Sequence, residues 1–156
     1  MRIIGIDPGI QITGYSILDC TQDEYVIVAS GSIQTSKNQT TPERLLEISK
    51  DIKVICEKYK PDVASVEELF FFKNQKTIIP VAEARGVILA ALCEAGVEIA
   101  EYTPMQVKLS LTGHGRATKP EVKAMVEHFV TISPNIKLDD TIDSIAIAIC
   151  HHRNIF

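Results

Sequence analysis

The order in which apolar patterns follow one another restricts the fold of this chain more than any single residue does. The first third consists of branched and aromatic runs separated by short polar turns, which predicts antiparallel strands. From about Thr40 the apolar spacing changes to every third or fourth residue, which predicts a helix that is stopped at Lys60-Pro61. The predicted strands are 2–7, 13–18, 25–33, 62–67 and 97–102, and the later predicted helices are 80–94, 104–111, 119–130 and 140–152.

This order predicts an α/β fold. Strands joined by tight turns lie antiparallel, whereas strands joined through a helix lie parallel. We therefore expect a five-stranded mixed sheet, with three antiparallel strands followed by two parallel ones, flanked by helices. The last helical stretch is apolar on nearly all sides and is expected to be buried. Residues 70–76 fit neither period and are predicted to form a loop.

The composition fits one globular domain of this class. The chain has 156 residues, of which 46% are hydrophobic, and a chain of this size can bury about two thirds of its unfolded surface. We therefore expect a single domain over residues 1–156. The longest apolar run, Gly86 to Cys93, is well short of the about 20 residues that cross a bilayer. No signal-peptide pattern follows Met1, so we expect a cytoplasmic protein without membrane contact.

The cysteines and the net charge disfavour two further classes of protein. The four cysteines are widely spaced and form no CxxC pair, which favours reduced, buried thiols over a disulfide framework or a zinc site. Cys150 adjoins His151 and His152, but no second ligand pair at zinc spacing accompanies them. A formal charge of −4, from 16 basic and 20 acidic residues, disfavours a general nucleic-acid coat protein but leaves open a local basic face.

Four carboxylates lie at the ends of apolar segments, where a buried charge is costly. Asp7 ends the first predicted strand, Glu67 ends the fourth, and Asp140 and Asp143 begin the last helix. Functional groups gather at strand carboxyl ends in α/β sheets, so the four could converge on one cleft and require a cation. Hard oxygen ligands suit Mg²⁺ or Mn²⁺, and two such ions about 4 Å apart would serve phosphoryl transfer. Taken singly, each residue has a structural alternative of about equal weight: Asp7 in a turn, Glu67 at a solvated strand end, and the aspartate pair at a helix cap. Their joint placement at the ends of apolar elements makes these alternatives less favoured.

Two features suit contact with nucleic acid. Between Pro104 and Ala124 there are four basic residues against one acidic, a local charge of +3, which fits a phosphate track and a solvated surface about equally. The three phenylalanines at 70–72 cannot all face inward from an extended segment. At least one is therefore expected to be exposed, and core packing, a dimer contact and base stacking remain open for the others. The basic residues are Lys108, Arg116, Lys119 and Lys123.

Several short blocks carry a resemblance to a known family. They are Ile6-Asp7-Pro8-Gly9 with Thr13-Gly14-Tyr15, Val66-Glu67, Phe70 followed by Lys73-Asn74, Ala84-Arg85-Gly86, Gln106-Val107-Lys108, the stretch from Gly113 to Lys119, and Asp140-Thr141-Ile142-Asp143 before Ala146-Ile147-Ala148. In this order, essentially from end to end, they resemble the RuvC family of Holliday junction resolvases. The first block alone would also suit actin-like ATPases, which need a second domain that this length does not supply.

The resemblance implies an RNase H-like fold and a homodimer that nicks two opposed strands of a four-way DNA junction, leaving 5′-phosphate and 3′-hydroxyl ends. It implies that the four carboxylates bind metal, which we expect to be two Mg²⁺ ions with Mn²⁺ as a substitute, and that Lys119 acts near the cut phosphate. A branch-migration complex of the RuvA–RuvB type would be a further partner where the host supplies one. The alternative of a junction-binding module that has lost catalysis is disfavoured by the intact carboxylates. The expected DNA-binding residues are Phe70, Lys73, Lys108, Arg116 and Lys119.

Two neighbouring aspartates could each partner Asp143. At about 100° per residue, both Asp139 and Asp140 share a helix face with it. If Asp139 is the N-cap, its carboxylate is occupied by a backbone N–H, and Asp140 and Asp143 remain free for metal. The resemblance also selects Asp140. The helix 80–94 offers small and aliphatic residues on much of its circumference, which is compatible with a homodimer interface.

Overall fold

A five-stranded mixed sheet forms the centre of the fold. The computed structural model describes residues 1–22, 24–69, 75–132 and 139–155. In chain order the strands are β1 (Arg2–Asp7), β2 (Ile12–Cys20), β3 (Tyr25–Gln34), β4 (Val63–Glu67) and β5 (Glu98–Tyr102). Their spatial order is β3-β2-β1-β4-β5, in which β1–β2 and β2–β3 are antiparallel and β1–β4 and β4–β5 are parallel. The predicted α/β class and the predicted strand directions are confirmed.

Helices cover both faces of this sheet. One core cluster lies between the sheet and two of the helices, and a second lies between the sheet and the other three. In chain order the helices are α1 (Thr41–Tyr59), α2 (Gln75–Glu94), α3 (Pro104–Thr112), α4 (Lys119–Phe129) and α5 (Asp139–Ile155). The pair α1 and α2 covers one face, and α3, α4 and α5 cover the other.

Helix α5 is the most deeply buried helix of the second face. The sheet covers one side of it, while α3 and α4 contact it from the other, so residues are buried all round the helix between Thr141 and His152. This confirms the burial predicted from its apolar pattern. His151 and His152 belong to this packing, since their Nδ1 atoms lie 2.9 Å and 3.2 Å from the hydroxyls of Tyr102 and Tyr25, respectively.

Three helices begin with the same local device. At the start of α4, the amide of Thr118 donates to Glu121 Oε2 at 2.6 Å, and the amide of Thr103 donates to Gln106 Oε1 at 2.8 Å at the start of α3. In α1 the equivalent bond joins Thr40 to Glu43 at 2.7 Å. These side chains satisfy amides that a helix leaves without partners, so the sequence itself fixes where each helix starts.

The start of α2 differs from the prediction. The helix begins at Gln75, so Gln75 and Lys76, predicted to lie in a loop, are helical, and Pro80 lies inside the helix rather than at its start. Proline lacks the N–H that would bond to the carbonyl four residues earlier. The lost bond would go to the carbonyl of the second residue of α2, so Pro80 marks the first turns of this helix rather than its first residue.

One cysteine also departs from the prediction. Cys20, Cys56 and Cys150 are free and buried as expected, but Cys93 is free and exposed. It follows the fully buried Leu92 on α2, and one residue further along a helix points about 100° away.

In the part of the chain that the structure describes, no helix combines the length and the apolarity that a bilayer crossing demands.

We expect Ile145→Ala to destabilise the protein by about 2–5 kcal/mol, because it leaves a cavity beneath α5 where the side chain is fully buried. Urea unfolding measures the change. Val54→Ala on α1 is the control, since Val54 is 60% exposed and its loss is expected to change the free energy of unfolding by about 0.5 kcal/mol or less. Equal losses in the two variants would contradict the position of α5 in the core.

Candidate active site

Two carboxylates end neighbouring parallel strands. Ile6 of β1 lies opposite Val66 of β4, so Asp7 and Glu67 follow at the same edge of the sheet. Side chains alternate along a strand, and Ser65, two residues before Glu67, donates its hydroxyl to the carbonyl of Ile147 on α5 at 2.8 Å. Glu67 therefore lies on the face that α5 covers, and by the same alternation so does Asp7.

The backbone on either side of these carboxylates is held by nearby side chains. After Asp7 the chain turns, and Thr13 Oγ1 closes this turn by donating to the carbonyl of Gly9 at 2.6 Å. At the end of β4, Arg85 Nε donates to the carbonyl of Glu67 at 3.1 Å, while its guanidinium forms an ion pair with Glu101. Both carboxylates thus extend from fixed strand ends.

The first turn of α5 brings two more carboxylates to this edge. Gly14 pairs with Asp7 across β1 and β2, and the backbone of Asp140 lies directly against Gly14. Thr141 Oγ1 donates to the carbonyl of Gly31 on β3 at 3.2 Å, which attaches the same turn to the sheet. Asp143 follows one turn after Asp140 and therefore lies near the same edge.

A cleft of about 330 Å³ opens among these elements. Three of the four predicted carboxylates line it, as do two lysines from α3 and α4 and an apolar floor from the three helices. Asp140 does not line the cleft but is close enough to raise the pKa of Asp7. The lining residues are Asp7, Glu67, Pro104, Val107, Lys108, Lys119, Val122, Asp143, Ala146 and Ile147.

The carboxylates in the cleft repel one another. Burial, and after it the charges of Glu67, Asp143 and Asp140, raise the pKa of Asp7 to about 8. Burial and the charge of Asp143 raise the pKa of Glu67 to about 7. At neutral pH and without metal, the folded protein therefore keeps Asp7 and Glu67 at least partly protonated, although both carboxyl groups are ionised in the unfolded chain.

Lys119 supplies part of the missing positive charge. As the first residue of α4, it places Nζ 3.0 Å from Asp143 Oδ2, and this bond raises the pKa of the lysine. Its charge lowers the pKa values of Asp7 and Glu67, and Lys108 lowers that of Glu67 as well. Both opposing effects are smaller than that of burial, so the pKa values of Asp7 and Glu67 stay raised.

The four carboxylates at this edge of the sheet are oxygen ligands of the kind that a hard divalent cation prefers. All four groups are carboxylates, and oxygen ligands of this kind are those of Mg²⁺ and Mn²⁺. Among the described residues, no three His, Cys, Asp or Glu side chains already stand close enough together to hold an ion. Burial and the neighbouring carboxylates both disfavour the ionised form of Asp7, and a bound cation would favour it.

The other predicted site residues are distributed around the cleft or lie elsewhere. Arg116 is exposed in the loop between α3 and α4 and does not line the cleft. Lys123 lines a neighbouring pocket of about 350 Å³ that it shares with Lys119 and Asp139. The predicted DNA contacts Phe70 and Lys73 lie outside the described residues, as do Phe71 and Phe72.

Some positions that shape the site were not singled out from the sequence. Asp139 is the first residue of α5, so it lies inside the helix and not at the N-cap position considered for it from the sequence. Gly14 and Ser65 contact α5 directly. A glycine inside a strand indicates close approach of another backbone, and this signal could have identified Gly14.

We expect the metal-free protein to lose stability as the pH rises from about 5 to about 8. The pKa values of Asp7 and Glu67 exceed their ordinary values of 3.8 and 4.5, so the folded state binds more protons than the unfolded state in this range, and the free energy of unfolding falls. Calorimetry with a chelator measures this, and a loss of about 2 kcal/mol lowers Tm by roughly 4–8 °C. Asp7→Asn should flatten the decrease, whereas a wild-type Tm that rises with pH would contradict the raised pKa values.

Comparison with known proteins assigns the chain to a family. The family model described as crossover junction endodeoxyribonuclease RuvC matches residues 3–151. Relatives with this name are 47% identical in Fusobacterium nucleatum, over 99% of this chain and 82% of that protein, and 44% identical in Caldicellulosiruptor saccharolyticus, over 97% of this chain and 92% of that protein.

Solved structures agree with this assignment. RuvC from Thermus thermophilus has a TM-score of 0.90 and 31% identity to this chain, and the similarity covers 99% of this chain and 95% of that one. The same protein in complex with Holliday junction substrate has a TM-score of 0.92, again at 31% identity, over 99% and 94% of the two chains. The chain described above therefore belongs to the RuvC family of crossover junction endodeoxyribonucleases.

Proposed function

We propose that this chain resolves Holliday junctions by paired, symmetric nicks in opposed strands, leaving 5′-phosphate and 3′-hydroxyl ends. Membership of the family makes it a junction-resolving endonuclease of DNA recombination and repair. The observation that carries the proposal in this structure is the convergence of Asp7, Glu67 and Asp143 on one cleft, with Asp140 beside it. A protein that only bound junctions would have no need for repelling carboxylates in a poorly solvated cleft.

We propose that these four carboxylates hold two Mg²⁺ ions, which Mn²⁺ can replace. The bound cations would supply Lewis-acid stabilisation of the negative charge that develops on the phosphate oxygens during cleavage. Asp7 and Glu67 must be ionised to act as ligands, so their raised pKa values make cation binding compete with protons.

The lysines of the cleft would bind the phosphate that is cut. Lys119 is exposed at its tip and already donates to Asp143, so it can exchange this partner for a phosphate oxygen without moving its helix. Lys108 lies across the cleft on α3. Positively charged groups held in this way offset charge on the phosphate oxygens and orient the strand for attack.

The surface around the cleft would bind the arms of the junction. Lys119 and Lys123 are four residues apart on α4 and share a face, and Arg116 precedes them in an exposed loop. These groups would contact phosphates without reading sequence. We propose Phe70 as a residue that stacks on bases and Lys73 as a further DNA contact, on the strength of the family motif alone.

The proposal includes an assembly of two chains. A two-fold homodimer would present two identical clefts to a nearly two-fold junction, which explains paired cuts. A single RNase H-like nuclease domain over residues 1–156, a cytoplasmic location and a RuvA–RuvB-type branch-migration partner stay predictions.

We expect Asp7→Asn and Glu67→Gln to bind a four-way junction as tightly as wild type but to nick it more than about 100-fold more slowly. The loss of one charged ligand disturbs the cation site, and even indirect supports of such sites contribute about 10- to 100-fold. Gel shift without divalent cations measures binding, and a nicking assay with Mg²⁺ measures cleavage. Asp51→Asn on α1 makes the same chemical change away from the cleft and should cleave normally. Loss of junction binding in folded cleft variants would contradict their role as metal ligands.

Substitution by asparagine also distinguishes the roles of the two aspartates at the start of α5. Asp140→Asn should fold normally and lose nicking, because Asp140 acts on Asp7 across the site. Asp139→Asn should keep nicking, because Asp139 lines the neighbouring pocket and does not raise the pKa of Asp7 or Glu67. Circular dichroism confirms folding, and the nicking assay compares the variants. If Asp140→Asn is active and Asp139→Asn is folded but inactive, the metal ligand is Asp139 and not Asp140.

A further inference from the structure

The start of α5 contacts the sheet at a residue that has no side chain. A Cβ built on Gly14 would overlap the backbone carbonyl of Asp140 and lie 3.1 Å from the Asp140 Cβ. The overlapping atoms belong to the backbone of a helix, so they cannot rotate away as the end of a flexible side chain would. Any residue larger than glycine therefore requires α5 or β2 to move.

Other contacts hold the same helix against the same sheet face. Thr141 attaches the first turn to the carbonyl of Gly31, and Ser65 attaches the middle of the helix through the carbonyl of Ile147. At Gly5 a built Cβ would lie 2.9 Å from the Cβ of Ala148. Helix α5 is therefore fixed along its length, and a displacement at Gly14 would act on the turn that carries the carboxylates.

The position of Gly14 couples this contact to the cleft. Gly14 is the direct partner of Asp7 in the β1–β2 ladder, so the residue against which the Asp140 backbone packs lies beside Asp7. The close approach of α5 at this point sets how far Asp140 and Asp143 stand from Asp7 and Glu67.

We infer that Gly14 is a positioning residue of the metal site: its missing side chain sets the spacing between the carboxylates of α5 and those of β1 and β4. The inference rests on the proposed function, because it takes these carboxylates as the ligands. Gly14 itself contacts no substrate and acts through the backbone of Asp140. A displacement of about 1 Å in a catalytic group can reduce the rate about 100-fold.

The test is Gly14→Ala, with Gly86→Ala as the matched control. Gly86 lies on α2 and does not line the cleft, and a built Cβ there meets no atom within 4 Å. Isothermal calorimetry measures Mn²⁺ affinity, and gel shift without divalent cations measures junction binding. We expect Gly14→Ala to weaken Mn²⁺ binding at least about tenfold and to nick about 100-fold more slowly. Its junction binding should be unchanged, and Gly86→Ala should resemble wild type in all three measurements.

The outcomes separate this inference from the function on which it rests. Wild-type protein that binds Mn²⁺ no better than Asp7→Asn would overturn the metal site itself. If wild type binds Mn²⁺ and a folded Gly14→Ala binds it equally tightly, only the role of Gly14 is overturned.

A second variant decides the question if Gly14→Ala does not fold. Thr141→Val adds no bulk but removes the hydrogen bond that attaches the same turn of α5 to Gly31. We expect it to fold and to weaken Mn²⁺ binding by a few fold. Mn²⁺ affinity equal to that of wild type in this variant would then overturn the inference.

Discussion

Helix α5 lies against the sheet with no side chain between them at two points, Gly5 and Gly14. This close approach lets one helix be buried on nearly all sides while α3 and α4 pack on its outer surface. Because β1 and β4 are parallel neighbours, their carboxyl ends meet beneath the start of that helix. The position of the cleft therefore follows from the way in which α5 packs.

The same packing gives the site its electrostatic character. Asp7 and Glu67 lose water when α5 covers them, and their pKa values rise because no group in the cleft fully compensates their charge. The charge of Lys119 lowers both pKa values but does not cancel the rise. Stability of the fold and occupancy of the site are therefore linked, since any cation that binds the folded state relieves a repulsion that the unfolded chain does not have.

The sequence predicted the parts of this arrangement that depend on local patterns. Apolar spacing and turn residues gave the five strands and their directions, and the placement of Asp7 and Glu67 at strand ends indicated a shared edge. The start of α2, the exposure of Cys93 and the contact of Gly14 with Asp140 could not be derived in this way. The exposure of Cys93 and the contact of Gly14 with Asp140 depend on which elements pack together. Proline is accepted in the first turn of a helix, so the pattern at Pro80 indicated a later start of α2 than the structure has.

The acidic cleft also has to accept DNA, although its carboxylates and the phosphate backbone repel each other. Three basic groups form an exposed rim, namely Arg116, Lys119 and Lys123, whereas burial raises the pKa values of Asp7 and Glu67. Arms of a junction can therefore bind to the rim through counterion release without a cation in the cleft. Entry of the cut phosphate is different, because it brings a further negative charge beside the carboxylates. In the proposed function, cation binding is thus required for the phosphate to enter as well as for its cleavage.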